Sequence, residues 1–280
     1  MEAQRRCSKL QVLITNQQNS FEHVLTTNIQ NWGHQAIVVT PSSILSESNA
    51  YGDVLLFDLD EALHSASPIE NGNPQVPVAS MPLAVNGIKQ DDKHWPHVRL
   101  TIALSSRSVS RSTLEQIGAV ALLQKPFEMS RLQRYLRVFQ KLLLEGEETP
   151  AVGEKIRILV VDDDVAIANA VKQCLNVESN YEVAVAHDGL EALEQCLDWR
   201  PHCIVADLIM PWLDGYQVIR CLNKASLHTI PAFVIMSALT QFEAPWNRPY
   251  MRGNHVAYVD KPFNVDHLLA AIEQVCLDRV

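Results

Sequence analysis

The sequence predicts an α/β protein: two doubly wound domains in tandem, each on a five-stranded parallel sheet. Three observations lead there. Short apolar runs alternate with amphipathic stretches along both halves of the chain. Many of these runs are apolar at consecutive positions, which suits parallel strands covered by helices on both faces. The chain also carries a diverged internal repeat. Lys155-Ile156-Arg157-Ile158-Leu159-Val160-Val161 resembles Lys9-Leu10-Gln11-Val12-Leu13-Ile14-Thr15, Cys203 to Asp207 resembles Val54 to Asp58, and Lys261-Pro262-Phe263 repeats Lys125-Pro126-Phe127.

A length of 280 residues fits two domains, each long enough for its own core. Residues 145–154 are polar and acidic, contain Gly and Pro, and read as a linker. The domains are then 1–144 and 155–280. In the second, strands are expected at 156–161, 181–186, 203–206, 232–236 and 256–259. Helices are expected near 164–177, 188–198, 215–226 and 264–277. The last of these has Val265, Leu268, Leu269, Ile272 and Val275 at helical spacing. In the first domain the strands fall at 10–15, 35–39, 53–57, 99–104 and 119–123. Its last helix covers about 128–144, with Leu132, Leu136, Phe139 and Leu143 on one face. The stretch 64–96, with Pro68, Pro74, Pro77, Pro82 and Pro96, reads as an irregular insertion.

Composition narrows the class. Hydrophobic content of 47% and charged content of 20% describe an ordinary globular chain. No apolar run reaches membrane-span length, and the N-terminus lacks the apolar core of a secretory signal. The six cysteines form no CxxC pair and read as reduced, mostly buried thiols of a cytoplasmic protein. The net charge of −9 divides into −2 over residues 1–150 and −7 over 151–280. Neither half has a basic stripe, which argues against direct nucleic-acid binding.

The acidic second half holds the chemistry. Asp162-Asp163-Asp164 follows the first strand and Asp207 closes the third. Ser237 closes the fourth, and Lys261 follows the fifth. A lone Asp at a strand end is usually a cap or turn residue. The ordered set carries the reading, because sites in such sheets lie at the carboxyl ends of the strands. Clustered carboxylates repel one another, and a divalent cation removes the conflict. Mg²⁺ needs few protein oxygens and neutralises charge on a transferring phosphoryl group. Asp207 can then act as a nucleophile, with Ser237 and Lys261 each taking a phosphoryl oxygen.

These stretches, together with Ala186-His187-Asp188-Gly189-Leu190-Glu191-Ala192-Leu193 and the run from Asp207 through Met210-Pro211 to Asp214-Gly215, resemble the two-component response-regulator receiver (CheY-like, flavodoxin-like) superfamily across residues 155–280. The resemblance implies roles. Asp207 is the phosphoacceptor, and Asp163 is a direct Mg²⁺ ligand. Asp162 is a ligand through water, and the backbone carbonyl of Ile209 is a third metal contact. Ser237 and Lys261 sense the phosphoryl group. Tyr258 is the aromatic switch, or alternatively a simple edge-packed aromatic. Asp164 reads better as a helix N-cap than as a ligand. The implied partners are a histidine kinase or histidine phosphotransfer protein as donor, and a downstream protein target. The resemblance implies no enzyme beyond one that promotes its own phosphorylation and dephosphorylation.

There are departures from the family pattern. Pro245 and Pro249 interrupt the region of the fourth helix, which the family uses for output and dimerisation. Trp246 and Tyr250 mark a different contact surface or merely cover the sheet. The first domain keeps Asp58, Ser105 or Ser106, and Lys125. It has Asn16 and Gln17 in place of the acidic pair, Leu59-Asp60-Glu61-Ala62 in place of the Met-Pro run, and Leu122 in place of the aromatic. Without anionic ligands at 16 and 17, Mg²⁺ affinity should be poor, so this domain reads as a pseudo-receiver. It is similar to degenerate receivers of some hybrid histidine kinases, where a stretch like Asn31-Trp32-Gly33-His34 also occurs. His23 aligns with the first receiver helix and is not read as a phosphodonor. No DNA-binding or catalytic output segment is recognised after the last helix, so output is expected through protein contact, unless the chain is the receiver portion of a hybrid kinase. Two other readings stay open. Phe57-Asp58-Leu59-Asp60 resembles the nucleophile motif of haloacid-dehalogenase-type phosphatases, with Ser105 and Lys125 following in that family's order, though the acidic pair that family needs after the lysine is missing. A purely structural pair of domains is the other.

Overall fold

The computed structural model describes residues 9–15, 19–40, 51–60, 97–144, 155–225, 230–238 and 256–277. The insertion at 64–96, the linker at 145–154, the positions Asn16 and Gln17, and the segment with Pro245, Trp246, Pro249 and Tyr250 lie outside the described residues. The chain divides into two units, Met1–Leu144 and Glu145–Val280.

The N-terminal unit runs β1 (Gln11–Thr15), α1 (Asn19–Asn31), β2 (Gln35–Val38), β3 (Gly52–Asp58), β4 (Val98–Ser105), α2 (Arg111–Gln116), β5 (Ala121–Gln124) and α3 (Met129–Leu144). All strand pairs are parallel, in the order β2-β1-β3-β4-β5. Val54, Leu55, Leu56 and Phe57 on β3 are all buried, as a central strand covered on both faces requires. On α3, Leu132, Tyr135, Leu136, Val138, Phe139, Leu142 and Leu143 are buried.

The C-terminal unit runs β6 (Arg157–Val161), α4 (Val165–Glu178), β7 (Glu182–Ala186), α5 (Gly189–Asp198), β8 (Cys203–Asp207), α6 (Gly215–Lys224), β9 (Ala232–Ser237), β10 (Val256–Asp260) and α7 (Val265–Leu277). Its strand order, β7-β6-β8-β9-β10, repeats that of the first unit, again all parallel. Both units therefore have the doubly wound architecture that the sequence predicts. In each, the order reverses beside the first strand, and the crevice at that reversal is where such sheets bind ligands. The core on one side of the second sheet joins Ile158, Val160, Val205, Val234 and Met236 to Ala168, Val171 and Leu175 of α4 and to Leu268, Ile272 and Val275 of α7.

Helix starts are set by aspartates. Asp164 caps α4 by accepting the Ala166 and Ile167 N–H groups. Asp188 caps α5 through the Glu191 N–H. Asp214 and Gln217 form a reciprocal capping box at α6. Capping stabilises a helix by satisfying N–H groups that have no intrahelical partner. Asp164→Ala is therefore expected to lower the stability of the second domain by about 1 kcal/mol, read by chemical denaturation. No change would mean that α4 does not depend on this cap.

Candidate functional site

Register places the polar strand ends of the second unit side by side. Val161 pairs with Ala206, Asp207 with Met236, and Asp260 with Ser237. The residues just past β6, at the end of β8 and β9, and just past β10 thus meet at one edge of the sheet. Asp162, Asp163 and Asp207 each offer a carboxylate oxygen there, and these atoms lie within 4.8 Å of one another. Asp162 is buried, Asp207 is partly buried and Asp163 is exposed.

Lys261 binds this cluster together. Its Nζ lies 2.9 Å from Asp162 Oδ2 and 3.0 Å from Asp207 Oδ2. Burial acts to lower the lysine pKa. The hydrogen bonds to Asp162 and Asp207, with their negative charges, outweigh burial and raise it above the ordinary 10.5. The backbone is tied in as well. Lys261 N–H donates to the Ser237 carbonyl at 2.6 Å, Asp164 N–H to Asp162 Oδ1 at 3.0 Å, and Ile209 N–H to Asp207 Oδ1 at 3.3 Å. Ser237 is buried at the end of β9, one residue past the register partner of Asp207. Ile209 is exposed in the loop after β8. Tyr258 is half-buried on β10, opposite Ile235.

The loop from Asp207 to Asp214 is shaped by close approaches. A Cβ on Gly215 would lie 2.7 Å from the Asp207 carbonyl oxygen, so α6 can start this near β8 only on glycine. A Cβ on Gly189 would run into the Leu213 carbonyl, so α5 also needs glycine there. Trp212 adopts φ 72°, the left-handed region, within this loop. Three carboxylates at one edge of a sheet form a hard-oxygen donor set of the kind Mg²⁺ takes, and the partly exposed positions leave room for its waters.

Residues 158–273 match the response regulator receiver domain family. The C-terminal unit is a receiver domain. Over 123 residues it is 32% identical to the transcriptional regulatory protein TrcR of Mycobacterium tuberculosis, covering 44% of this chain and 46% of that protein. Over 115 residues it is 36% identical to the response regulator MprA of Mycobacterium ulcerans, covering 41% of this chain and 47% of that one. The match spans about half the length of these curated relatives. Among solved structures, a response regulator signal receiver domain from Bermanella marisrubri is 33% identical, with 44% of this chain and 98% of that chain covered and a TM-score of 0.39.

These relatives correct one expectation. Lack of a basic stripe argued against direct nucleic-acid binding, yet a relative matched by the receiver domain is a transcriptional regulatory protein. A receiver domain need not itself be basic to serve such a protein, so surface charge does not exclude nucleic acid as a partner. Among the described residues, no helix is long and apolar enough to cross a membrane.

The N-terminal unit brings its own residues together differently. Asp58 is buried and receives Lys125 Nζ at 2.6 Å. Lys125 also reaches Asp60 Oδ2 at 3.1 Å and stands 5.3 Å from the centre of the Phe21 ring. Asp58 N–H donates to Thr15 Oγ1, which donates to the Leu56 carbonyl. Ser105 and Ser106 both donate to Asp60. The receiver-like reading of the sequence picks out Asp58, Ser105 and Lys125, and Asp60 enters only through the phosphatase-like Asp-x-Asp motif. The signal was present, since a carboxylate stands two residues after Asp58 where the receiver domain has Ile209 after Asp207.

Proposed function

We propose that the protein acts in a phosphorelay, with the receiver domain accepting a phosphoryl group on Asp207 from a phosphohistidine of a partner kinase or phosphotransfer protein. The observation that carries this reading is the convergence of Asp162, Asp207 and Lys261, with Lys261 within 3.0 Å of both carboxylates. Asp162, Asp163, Asp207 and the Ile209 carbonyl would hold Mg²⁺, which when bound supplies a Lewis acid to the phosphoryl oxygens. An Asp207 carboxylate oxygen attacks phosphorus. The new O–P bond forms as the P–N bond breaks, and the imidazole nitrogen leaves with its electron pair and takes up a proton. Lys261 exchanges part of its pairing with Asp162 and Asp207 for one phosphoryl oxygen, while the Ser237 hydroxyl donates to another. Such charge-assisted bonds contribute about 1.5–3 kcal/mol each.

The phosphoryl group adds roughly −1.5 to −2 charges. Movement of Ser237 and Lys261 toward it, followed by Tyr258, biases a protein-interaction surface between two states. The domain works as a switch rather than as an enzyme of turnover, in the cytoplasm. The N-terminal domain is a pseudo-receiver that docks or restrains it. Treatment of the full chain with a small-molecule phosphodonor and Mg²⁺ is expected to add one phosphoryl group by intact mass, and chelation with EDTA to abolish it. Asp163→Ala should need at least tenfold more Mg²⁺ for the same label. Labelling that is indifferent to Mg²⁺, or Mg²⁺ binding unchanged in Asp163→Ala, would sink the site assignment.

A further inference from the structure

In the N-terminal domain the groups equivalent to Ser237 and Lys261 are already occupied. The equivalence follows from register. Ser105 ends β4 opposite Gln124, the residue before Lys125, as Ser237 ends β9 opposite Asp260, the residue before Lys261. Each lysine N–H donates to the carbonyl of its serine, at 2.8 Å and 2.6 Å. Asp58 pairs with Leu104 as Asp207 pairs with Met236. The residue two places on donates its N–H back to the aspartate in both domains, at 3.1 Å from Asp60 and 3.3 Å from Ile209. That position is therefore common to both domains, and only its side chain differs.

In the receiver domain it is an exposed isoleucine. In the N-terminal domain it is a carboxylate. Ser105 Oγ donates to Asp60 Oδ1 at 3.1 Å, and Ser106 N–H reaches Oδ1 at 3.1 Å and Oδ2 at 2.8 Å. Ser106 Oγ donates to Oδ2 at 2.9 Å, and Lys125 Nζ to Oδ2 at 3.1 Å. Hydroxyl, amide and ammonium donors converge on one anion, as donors around a bound phosphoryl group would. We propose that Asp60 is a built-in substitute for that group, latching the N-terminal domain in one state without donor or metal. This role for Asp60 presupposes that Ser237 and Lys261 take phosphoryl oxygens, as proposed above.

Other features support a latch. Burial alone would raise the Asp60 pKa, but the Ser106 hydroxyl and amide, with Lys125, more than offset it and hold the carboxyl below its ordinary range. Asp60 thus stays charged at neutral pH. Phe21, at the ring contact with Lys125, also meets Phe127 edge-on at 6.1 Å, so α1 is joined to the segment after β5 around the same lysine. A phosphoryl group arriving on Asp58 would have to displace Asp60 from all of these donors.

The test reads the Ser106 amide by NMR of the full chain, labelled with ¹⁵N-serine and ¹⁵N-alanine. In wild type this amide is expected to stay put when inorganic phosphate, or beryllofluoride with Mg²⁺, is added. In Asp60→Ala it should shift, and then respond saturably to inorganic phosphate, which refills the vacated donors. A wild-type Ser106 amide that moves with beryllofluoride would overturn the proposal. So would an Asp60→Ala amide that keeps its wild-type position, or one that shifts but ignores phosphate. Should Asp60→Ala fail to fold, Asp60→Asn keeps the shape while removing the charge, and the Ser106 shift decides in the same way. The Ala238 amide, beside Ser237, reports on the receiver domain in the same samples. If beryllofluoride leaves Ala238 still, the phosphorelay reading fails, while Ser106 continues to judge whether Asp60 holds its donors.

Discussion

Asp207→Asn is expected to remove the phosphoryl label from the full chain, and Asp58→Asn to leave it in place. The asymmetry follows from what surrounds each carboxylate. Asp207 is partly buried and has Asp162 and Asp163 close enough to share a cation. Asp58 is buried, accepts a hydrogen bond from Lys125 Nζ at 2.6 Å, and has Asp60 on the same lysine. Nucleophilic attack needs an approachable oxygen and stabilisation of charge on the phosphoryl group. On the proposed reading Asp207 meets both needs through the carboxylate cluster and Lys261, whereas the donors near Asp58 are taken by Asp60. An amide in place of the Asp207 carboxylate cannot form the acyl phosphate, so loss of label should be complete. The measurement is intact mass after exposure to a small-molecule phosphodonor with Mg²⁺. Label that survives Asp207→Asn but disappears in Asp58→Asn would reverse the roles of the two domains and remove the case for a latch at Asp60.

Much of this was legible because the site lies where strand pattern stops. Cys203 to Ala206 and Ala232 to Met236 are apolar runs, and each is followed by the polar residue that matters, Asp207 or Ser237. Those two residues are nonetheless the last of their strands, since backbone pairing continues one step beyond the apolar run. Periodicity marks where side chains change character, while strand ends follow backbone hydrogen bonds. The same distinction explains α6, expected to reach residue 226. It stops at Lys224 because Ala225 turns to an extended conformation while its N–H still donates to the Cys221 carbonyl. The short helix α2, started by Ser110, has only Leu114 buried and left no amphipathic signal to read.

Side-chain convergence was harder to see. Asp60 lies 45 residues from Ser105 and 65 from Lys125, and the receiver pattern has no carboxylate at this position to say that it meets both. Fold register supplies that information. Once β3, β4 and β5 are laid parallel, the ends of all three come to one edge, and a carboxylate two residues past Asp58 has donors in reach. The two domains thus share a scaffold, and one of their differences is the charge at the loop position two residues past the third strand's aspartate. The sheet defines where donors stand, and the loop after its third strand decides whether they face a visiting anion or a resident one.

Lys261→Met should separate the structural from the chemical role of this lysine. The methionine keeps most of the apolar stem and removes the ammonium that lies 2.9 Å from Asp162 and 3.0 Å from Asp207. Two carboxylates, the first almost fully buried, are then left without their cation. Removing one partner of a buried ion pair typically costs about 3–5 kcal/mol. Here Asp162 retains the Asp164 N–H and Asp207 is partly open to water, so a loss of about 2 kcal/mol is expected in EDTA. The lysine contribution is present across the neutral range. Its folded-state pKa is raised, so the stabilisation is complete below the ordinary 10.5 and fades as pH rises through the folded value. Mg²⁺ should then narrow the gap between variant and wild type, because a divalent cation neutralises the same carboxylates and stabilises the folded state in proportion to its occupancy. With two domains in the chain, the quantity to follow is the unfolding transition that responds to Mg²⁺. An equal gap in EDTA and in saturating Mg²⁺ would mean that lysine and metal do not share Asp162 and Asp207, and the joint site would have to be abandoned.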